Sequence, residues 1–107
     1  AAGVAALTGP QDVPEQKCRE FESKRDLVMN VLNSIEGVVC PRPQGAFYVF
    51  PDISCAFGKT HGPTGQLIST DVDFCNVLLE AKGVACVPGS AFGAPRSIRI
   101  SYTCPTP

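Results

Sequence analysis

A long stretch near the start of the chain carries apolar residues at helical spacing. Between Cys18 and Ile35 they are separated by three or four positions, or by seven across residues 22–26, which predicts one apolar face of a long helix with charged residues on its other sides. Asp12 with Glu15 three residues later resembles a capping box, so the helix is predicted to begin there. Gly37 is suited to end it, because glycine readily adopts the left-handed conformation that closes many helices.

A second, shorter helix is predicted between Thr70 and Gly83. Thr70 with Asp73 three residues later is typical of a helix start, and Gly83 is placed to end it. The apolar face of this helix is predicted to comprise Phe74, Cys75, Leu78, Leu79 and Ala81.

Four short runs rich in β-branched or aromatic residues are predicted as strands, at residues 38–40, 45–51, 84–87 and 97–102. Residues 55–67 hold glycines, prolines and the one histidine, so they are predicted as a loop. Pro88 and Gly89 predict a tight turn in which the glycine has a positive φ. The order helix, strand, strand, helix, strand, strand indicates an α+β fold with two helices on one face of a small, mostly antiparallel sheet.

The last predicted strand alternates between apolar and polar residues and carries one arginine. Ile98 and Ile100 share one face, while Arg99 lies between Ser97 and Ser101 on the other. A guanidinium in this setting can donate two parallel hydrogen bonds to a planar carboxylate. From the strand pattern alone, an arginine that reaches solvent or pairs with a surface acid is the preferred interpretation.

Composition narrows the class of protein. The chain has 107 residues, of which 44% are hydrophobic and 18% charged, and these values indicate a single packed domain. The net charge of −1, with mixed signs along the chain, predicts binding neither to nucleic acid nor to an anionic membrane. The longest apolar run is too short to span a membrane, and residues 1–7 lack the basic segment of a signal peptide.

The six cysteines allow two interpretations, a secreted disulfide scaffold or free thiols that pack as small hydrophobic groups. The predicted helical faces and apolar strands hold several of them, so we favour free thiols and an intracellular, reducing compartment, either cytoplasm or an organelle matrix. His61 has no pair of cysteines nearby, and no zinc site is predicted. Gly58-Lys59-Thr60 lacks the earlier glycine of a phosphate-binding loop.

Several short segments of the sequence occur in the same order in a known protein family. They are AAGVAAL, GPQD, GVVCPRPQGAFYVFP, GPTGQLISTDVDFCNVLLE, GVACVPGSAFG and IRISY. Together they resemble the C-terminal part of the class I, fold-type I, pyridoxal-phosphate aminotransferases, and the PTGQLISTDVDF segment is most similar to bacterial- and plant-type aspartate or aspartate/prephenate aminotransferases. Residues 13–107 would then be the small domain, and residues 1–12 the end of a helix and a linker from a large domain.

The resemblance implies a substrate site. In this family the strand arginine, here Arg99, binds the α-carboxylate of the amino acid, and Phe47 matches the phenylalanine of the Gly-x-Phe strand beside the substrate. Arg96 is the nearest alternative, but its position after Pro95 predicts a solvated loop residue. Tyr48, Phe50 and Phe92 are predicted to pack in the core. The substrates would be aspartate, or a related dicarboxylic or aromatic amino acid, and 2-oxoglutarate.

The resemblance also implies features that this chain lacks. Pyridoxal phosphate would be bound by the missing large domain, whose catalytic lysine has a Ser-x-x-Lys context that none of the four lysines here shows. The full-length enzyme would be a homodimer, and this chain alone is expected to be inactive. Pro105 and Pro107 replace the family's final helix, which we expect to be absent. The alternative is a truncated, non-catalytic domain retained for assembly or binding.

Overall fold

The computed structural model describes residues 1–103, so the expectation about the tail at 104–107 falls outside the described residues. The helices are α1 (Ala2–Thr8), α2 (Asp12–Asn33) and α3 (Asp71–Lys82), with short 3₁₀ turns at Ser54–Ala56 and Gly89–Phe92. The strands are β1 (Tyr48–Val49), β2 (Lys59–His61), β3 (Gln66–Ile68), β4 (Val87–Pro88) and β5 (Ile98–Ser101).

The main sheet is antiparallel and has β5 at its centre, in the order β1-β5-β4. Tyr48 pairs with Ser101 on one side of β5, and Val87 pairs with Arg99 on the other. Strands β2 and β3 form a separate antiparallel hairpin. Helices together with small antiparallel sheets confirm the predicted α+β class.

The two longer helices cover the same face of the main sheet. Val49 and Tyr102 are buried in a cluster that includes Phe21 of α2, and Ile98 is buried in a second cluster under α3. Ile100 packs against both clusters, so it lies where the two helices meet over β5. This arrangement is the predicted one, and it leaves the opposite face of β5 uncovered by either helix.

The ends of α3 were predicted correctly. The Thr70 side chain accepts a hydrogen bond from the backbone N–H of Asp73 at 3.2 Å, and the Asp73 carboxylate accepts one from the N–H of Ser69 at 3.1 Å. Gly83 closes the helix with φ 67°. The predicted apolar face was partly wrong, because Val77 is buried whereas Leu79 is 54% exposed.

The ends of α2 differ from the prediction. Gln11 precedes the helix without a capping hydrogen bond from its side chain, so the predicted capping box is wrong. The helix stops at Asn33, and Gly37 (φ 87°) lies in the turn that follows. Asn33 explains the early end, because its side chain exchanges two hydrogen bonds with the backbone of Cys40, at 3.1 and 3.4 Å, and so holds the returning chain. Cys18, predicted on the apolar stripe, is exposed.

The strand predictions were too long at the start of the sheet. Residues 38–40 contribute only one bridge, between Val39 and Asp52, and residues 45–51 contribute only β1. Prolines at 41, 43 and 51 cannot donate ladder hydrogen bonds, and Ala46 has φ 63°, which bends the chain just before the strand. The run at 84–87 likewise pairs only at its end.

The prediction of a loop at residues 55–67 was wrong, because most of this segment forms the β2–β3 hairpin. Gly65, with φ 70°, donates its N–H to the carbonyl of His61 at 2.7 Å and so closes the turn. The glycines and prolines that suggested a loop mark the turn between two short strands.

Candidate functional site

Arg99 lies in the middle of the central strand and on the face that the helices leave uncovered. Its neighbours along β5, Ile98 and Ile100, point into the core, so the pleat directs Arg99 to the opposite side. Within residues 1–103 its guanidinium makes neither a hydrogen bond nor an ion pair. Its N–H donors are therefore not used by the described part of the chain.

Two aromatic rings hold the guanidinium. The Arg99 Cζ atom lies over the Tyr48 ring at 5.2 Å from its centroid, and over the Phe92 ring at 5.0 Å. Tyr48 is on β1 and Phe92 follows β4, so the rings approach from the two strands that flank β5. Both were predicted as core residues, but Tyr48 is 36% and Phe92 54% exposed. The sequence did hold a signal for the exposure of Tyr48, because neighbouring residues of a strand face opposite sides and Val49 is buried.

The turn that carries Phe92 is fixed by a close approach of backbone to backbone. A Cβ at Gly89 would overlap the carbonyl oxygens of Ala94 and Ser97, so only glycine fits there. The predicted positive φ at Gly89 is wrong; Gly93 has it instead, with φ 76°. The turn therefore lies where the sequence predicts it, but Gly89 is required for close backbone packing and not for a positive φ.

The buried carboxylate of Asp71 anchors the same turn to α3. Its Oδ2 atom accepts a hydrogen bond from the backbone N–H of Ser90 at 2.7 Å, and the residue is only 3% exposed. Burial alone would raise the pKa of Asp71, but hydrogen bonds from Ser90 and from the backbone N–H groups of Val72 and Asp71 together outweigh it, and the pKa is lowered from 3.8. Asp71 is therefore held in its charged, hydrogen-bonded form.

Phe47 reaches Arg99 only through Tyr48. Its ring is 48% exposed, packs edge-on against Tyr48 with centroids 5.9 Å apart, and lies 6.4 Å from the ring of Phe21 on α2. On the other side, Phe50 packs edge-on against Phe92 at 6.1 Å. The rings of Phe47, Tyr48, Phe92 and Phe50 therefore form a row, and the Arg99 guanidinium lies within it, between Tyr48 and Phe92.

Arg96 is engaged in a different way. One of its terminal nitrogens donates a hydrogen bond to the Ser54 hydroxyl at 3.0 Å, and its Nε lies 3.8 Å from a carboxylate oxygen of Asp52. Hydrogen bonds from Ser54, together with the nearby Arg96 charge, lower the pKa of Asp52. The Arg96 side chain is 73% exposed, as expected for a loop residue.

A groove of about 310 Å³ lies between α2 and residues 43–46, away from Arg99. Arg25 lines it, but this arginine already bonds Asp26 at 3.0 Å and Glu22 at 3.5 Å, and also the Pro43 carbonyl at 3.4 Å. Its charge is therefore compensated inside the chain, and the groove offers no comparable receptor for a carboxylate.

The residues present do not fit a pyridoxal-phosphate site. Lys17 pairs with Glu20 at the surface, Lys24 lies over the Phe21 ring, and Lys59 and Lys82 are exposed on the hairpin and at the end of α3. None is enclosed as a lysine bound to a cofactor must be. Residues 1–103 also contain no group of three potential metal ligands.

The five cysteines of the described part, at 18, 40, 55, 75 and 86, are free thiols. Burial, and secondarily the neighbouring Cys86, raise the pKa of Cys75 to about 11, so this thiol stays protonated and packs as an apolar group. No helix among residues 1–103 combines the length and the apolar character needed to cross a membrane.

Comparison with known proteins matches residues 1–107 to the family model of the class I and II aminotransferases. The chain belongs to this family. It is 54% identical over 102 residues to a Rhizobium leguminosarum bv. phaseoli protein named "Probable aspartate/prephenate aminotransferase", covering 94% of this chain and 25% of the relative. It is 52% identical over 102 residues to the aspartate aminotransferase of Rhizobium meliloti (strain 1021), covering 95% and 25%.

Solved aminotransferases have the same fold. The crystal structure of the aspartate aminotransferase from Rhizobium meliloti matches with a TM-score of 0.89 at 49% identity, covering 97% of this chain and 26% of that chain. The alanine aminotransferase from Pyrococcus furiosus matches with a TM-score of 0.81 at 31% identity, covering 97% and 24%. The aminotransferase chain described here spans about a quarter of the length of these relatives.

Proposed function

We propose that this chain is the small domain of a pyridoxal-phosphate-dependent enzyme that transfers the amino group of aspartate, or a related amino acid, to 2-oxoglutarate. The uncompensated guanidinium of Arg99 on the open face of the sheet is the observation that carries the proposal. The relatives of this chain that are named aspartate or aspartate/prephenate aminotransferase support aspartate, or a related amino acid, as the substrate. When bound, the cofactor supplies the electron sink for this chemistry, and we assign its binding to the rest of the enzyme.

Arg99 is proposed to bind the α-carboxylate of the substrate. Its planar fork of N–H donors matches the two oxygens of a carboxylate, and within residues 1–103 no acid competes for it. Aspartate and 2-oxoglutarate both carry a carboxylate next to the reacting carbon, so one arginine serves both substrates. Fixing that carboxylate orients the Cα–H bond, which is a positional contribution to catalysis.

Phe47 is proposed to contact the substrate beside Arg99. Its half-exposed ring lies immediately before β1, next to the Tyr48 ring that flanks the guanidinium. Apolar surface close to the carboxylate would exclude water and strengthen the charged contact. The same ring also packs against Phe21 of α2, with the two centroids 6.4 Å apart.

The remaining assignments concern the whole enzyme. We propose residues 13–107 as the small domain and residues 1–12 as the end of a connecting helix; α1 buries none of its residues, which suits a segment whose packing partner lies elsewhere. We also propose that the full-length enzyme is a homodimer in an intracellular, reducing compartment; the free thiols of the described part support the compartment alone.

The test uses the full-length enzyme and two amino donors. β-Alanine is aspartate without its α-carboxylate, so the ratio of kcat/KM for aspartate to that for β-alanine measures recognition of this group. Arg99→Leu should lower the ratio by tens- to thousands-fold, because a charged, bidentate contact is lost, at a cost of about 2–5 kcal/mol. The absorbance of the bound cofactor should be unchanged.

Arg96→Leu is the matched control. It makes the same substitution three positions earlier in the chain, at an arginine whose side chain is exposed. It should leave the ratio within about twofold of wild type, as most exposed substitutions do. If Arg99→Leu keeps a near-wild-type ratio while the cofactor stays bound, Arg99 does not bind the α-carboxylate.

A further inference from the structure

The contacts of Arg99 are aromatic on both sides and ionic on neither, within the described part of the chain. We propose that Tyr48 and Phe92 are positioning residues, an aromatic clamp that holds the guanidinium in the orientation in which it binds the α-carboxylate. This inference rests on the proposed function of Arg99. It assigns to these two residues a role in substrate recognition that is exerted through Arg99.

The chemistry of the two rings suits a receptor that must stay free for a ligand. A ring face attracts a cation through its quadrupole but does not neutralise the charge as a carboxylate would. An acid beside Arg99 would fix the side chain equally well and would occupy the N–H donors that the substrate needs. The clamp therefore restrains Arg99 and leaves its hydrogen-bonding capacity available.

Restraint matters because a free arginine side chain samples many rotamers and loses that freedom when it binds. Tyr48 and Phe92 come from opposite sides of β5. Their positions limit movement of the guanidinium across the sheet in both directions. Less conformational entropy is then lost on binding, which is the general effect of preorganisation on affinity.

Each ring of the clamp is itself fixed by the fold. Tyr48 is paired with Ser101 in the sheet and is braced edge-on by Phe47 at 5.9 Å. Phe92 sits in the turn that the Asp71 carboxylate anchors through the backbone N–H of Ser90. A flexible ring could not orient the arginine, so this support is a requirement that the structure meets.

The loop arginine shows the alternative arrangement on the same domain. Arg96 is held by the Ser54 hydroxyl and lies near Asp52, so part of its donor set and its charge are already engaged. Arg96 thus has a structural contact within the domain, whereas Arg99 keeps its N–H donors available for a ligand. It also predicts that aromatic substitutions near Arg99, and not acidic ones, preserve its function.

The experiment removes or keeps each ring in the full-length enzyme. Tyr48→Leu and Phe92→Leu remove a ring, whereas Tyr48→Phe and Phe92→Tyr keep it; the Tyr48 hydroxyl has no hydrogen-bond partner within residues 1–103. Each Leu variant should lower the aspartate to β-alanine ratio by about three- to tenfold, the size of a partly exposed cation–π contact. Each ring-keeping variant should stay within about twofold of wild type.

This ratio is insensitive to the fraction of enzyme that is folded, because both substrates are measured on the same sample. The loss should fall mainly on KM for aspartate, since the rings act on binding of the carboxylate and leave the reacting groups in place. A loss shared equally by both substrates would contradict the clamp and indicate a general structural role. Unchanged ratios in both Leu variants would also contradict it.

A double-mutant cycle separates the clamp from the role of Arg99. In an Arg99→Leu background, removing either ring should have no further effect on the ratio, because the group that the rings position is gone. Additive losses would overturn the clamp. If Arg99→Leu alone leaves the ratio unchanged, the proposed function fails first; if it lowers the ratio and the ring variants do not, only the clamp fails.

Discussion

The two faces of the central strand differ in what they contact. Ile98 is 1% exposed on the inner face, where helices α2 and α3 meet over β5. On the outer face Arg99 is flanked by Tyr48 and Phe92, and both rings are partly open to solvent. Successive residues of one strand therefore belong to two environments, one apolar and closed, the other aromatic and open.

This difference assigns different consequences to neighbouring residues. Inner-face side chains contribute to stability through burial, which is largely independent of substrate chemistry. Outer-face side chains are only partly open to solvent, and they present a charge whose hydrogen bonds are not used within residues 1–103. We therefore expect substitutions on the two faces to separate stability from carboxylate recognition, although the residues are adjacent in sequence.

The largest effect on stability should come from Ile98→Ala. Removing most of a fully buried aliphatic side chain leaves a cavity and should lower the free energy of unfolding by about 2–5 kcal/mol. Calorimetry of the full-length enzyme would show a lower melting temperature. The aspartate to β-alanine ratio of the enzyme that remains folded should be unchanged; a fall in that ratio would break the division between the two faces.

Arg99→Lys tests the outer face without removing its charge. Lysine can still lie against the two rings, but it lacks the planar fork, so one charged hydrogen bond of the pair is lost. We expect the ratio to fall about ten- to a hundredfold. The melting temperature should stay within about 2 °C of wild type, as expected for a substitution that buries no new group. Full activity in the lysine variant would show that the fork geometry is not used.

Asp71→Ala affects the link between the two faces, because Asp71 on α3 anchors the turn that carries Phe92. Leaving the N–H of Ser90 without its partner should cost about 1–3 kcal/mol of stability at neutral pH. The pKa of Asp71 is lowered on folding, so this contribution is present above its ordinary value of 3.8 and is lost as the pH falls through the native pKa.

Melting temperatures of wild type and Asp71→Ala, measured as the pH is lowered, should therefore converge below pH 3.8. A difference that widens on acidification would mean that Asp71 is not held as a carboxylate. The same variant should also lower the aspartate to β-alanine ratio by a few fold, about the effect of one loosened ring of the clamp.

Thr70→Ala gives the smallest expected effect and concerns the inner layer alone. The Thr70 hydroxyl caps α3 through the N–H of Asp73, and its loss should cost about 1 kcal/mol. Thr70→Ser keeps the cap and is the matched control. Neither variant should alter the ratio of the two amino donors by more than about twofold.

The inner face could be predicted from the sequence, because it follows from local patterns. Alternation placed Ile98 and Ile100 together, and the Thr70 and Gly83 signals set the ends of α3, since these depend on residues close in the chain. The β2–β3 hairpin was missed because its glycines and prolines outweigh the weak strand preference of its short arms. The early end of α2 was missed because it depends on Asn33 bonding the returning chain at Cys40.

The outer face was predictable only in part. Periodicity indicated which side of β5 carries Arg99, and the family resemblance supplied its proposed role. The clamp was missed because Tyr48 and Phe92 meet Arg99 only once three separate segments form one sheet. An aromatic residue in a strand predicts core packing by default, and only the sheet order shows that these rings flank a cation.

Binding of the carboxylate by Arg99 can be seen in a crystal structure of the full-length enzyme with succinate, a dicarboxylate that resembles aspartate without its amino group. We expect two guanidinium nitrogens of Arg99 to lie about 2.7–2.9 Å from the two oxygens of one succinate carboxylate. Tyr48 and Phe92 should still flank the guanidinium. A succinate bound elsewhere, with Arg99 paired to a protein carboxylate, would show that Arg99 is not the receptor for the substrate carboxylate.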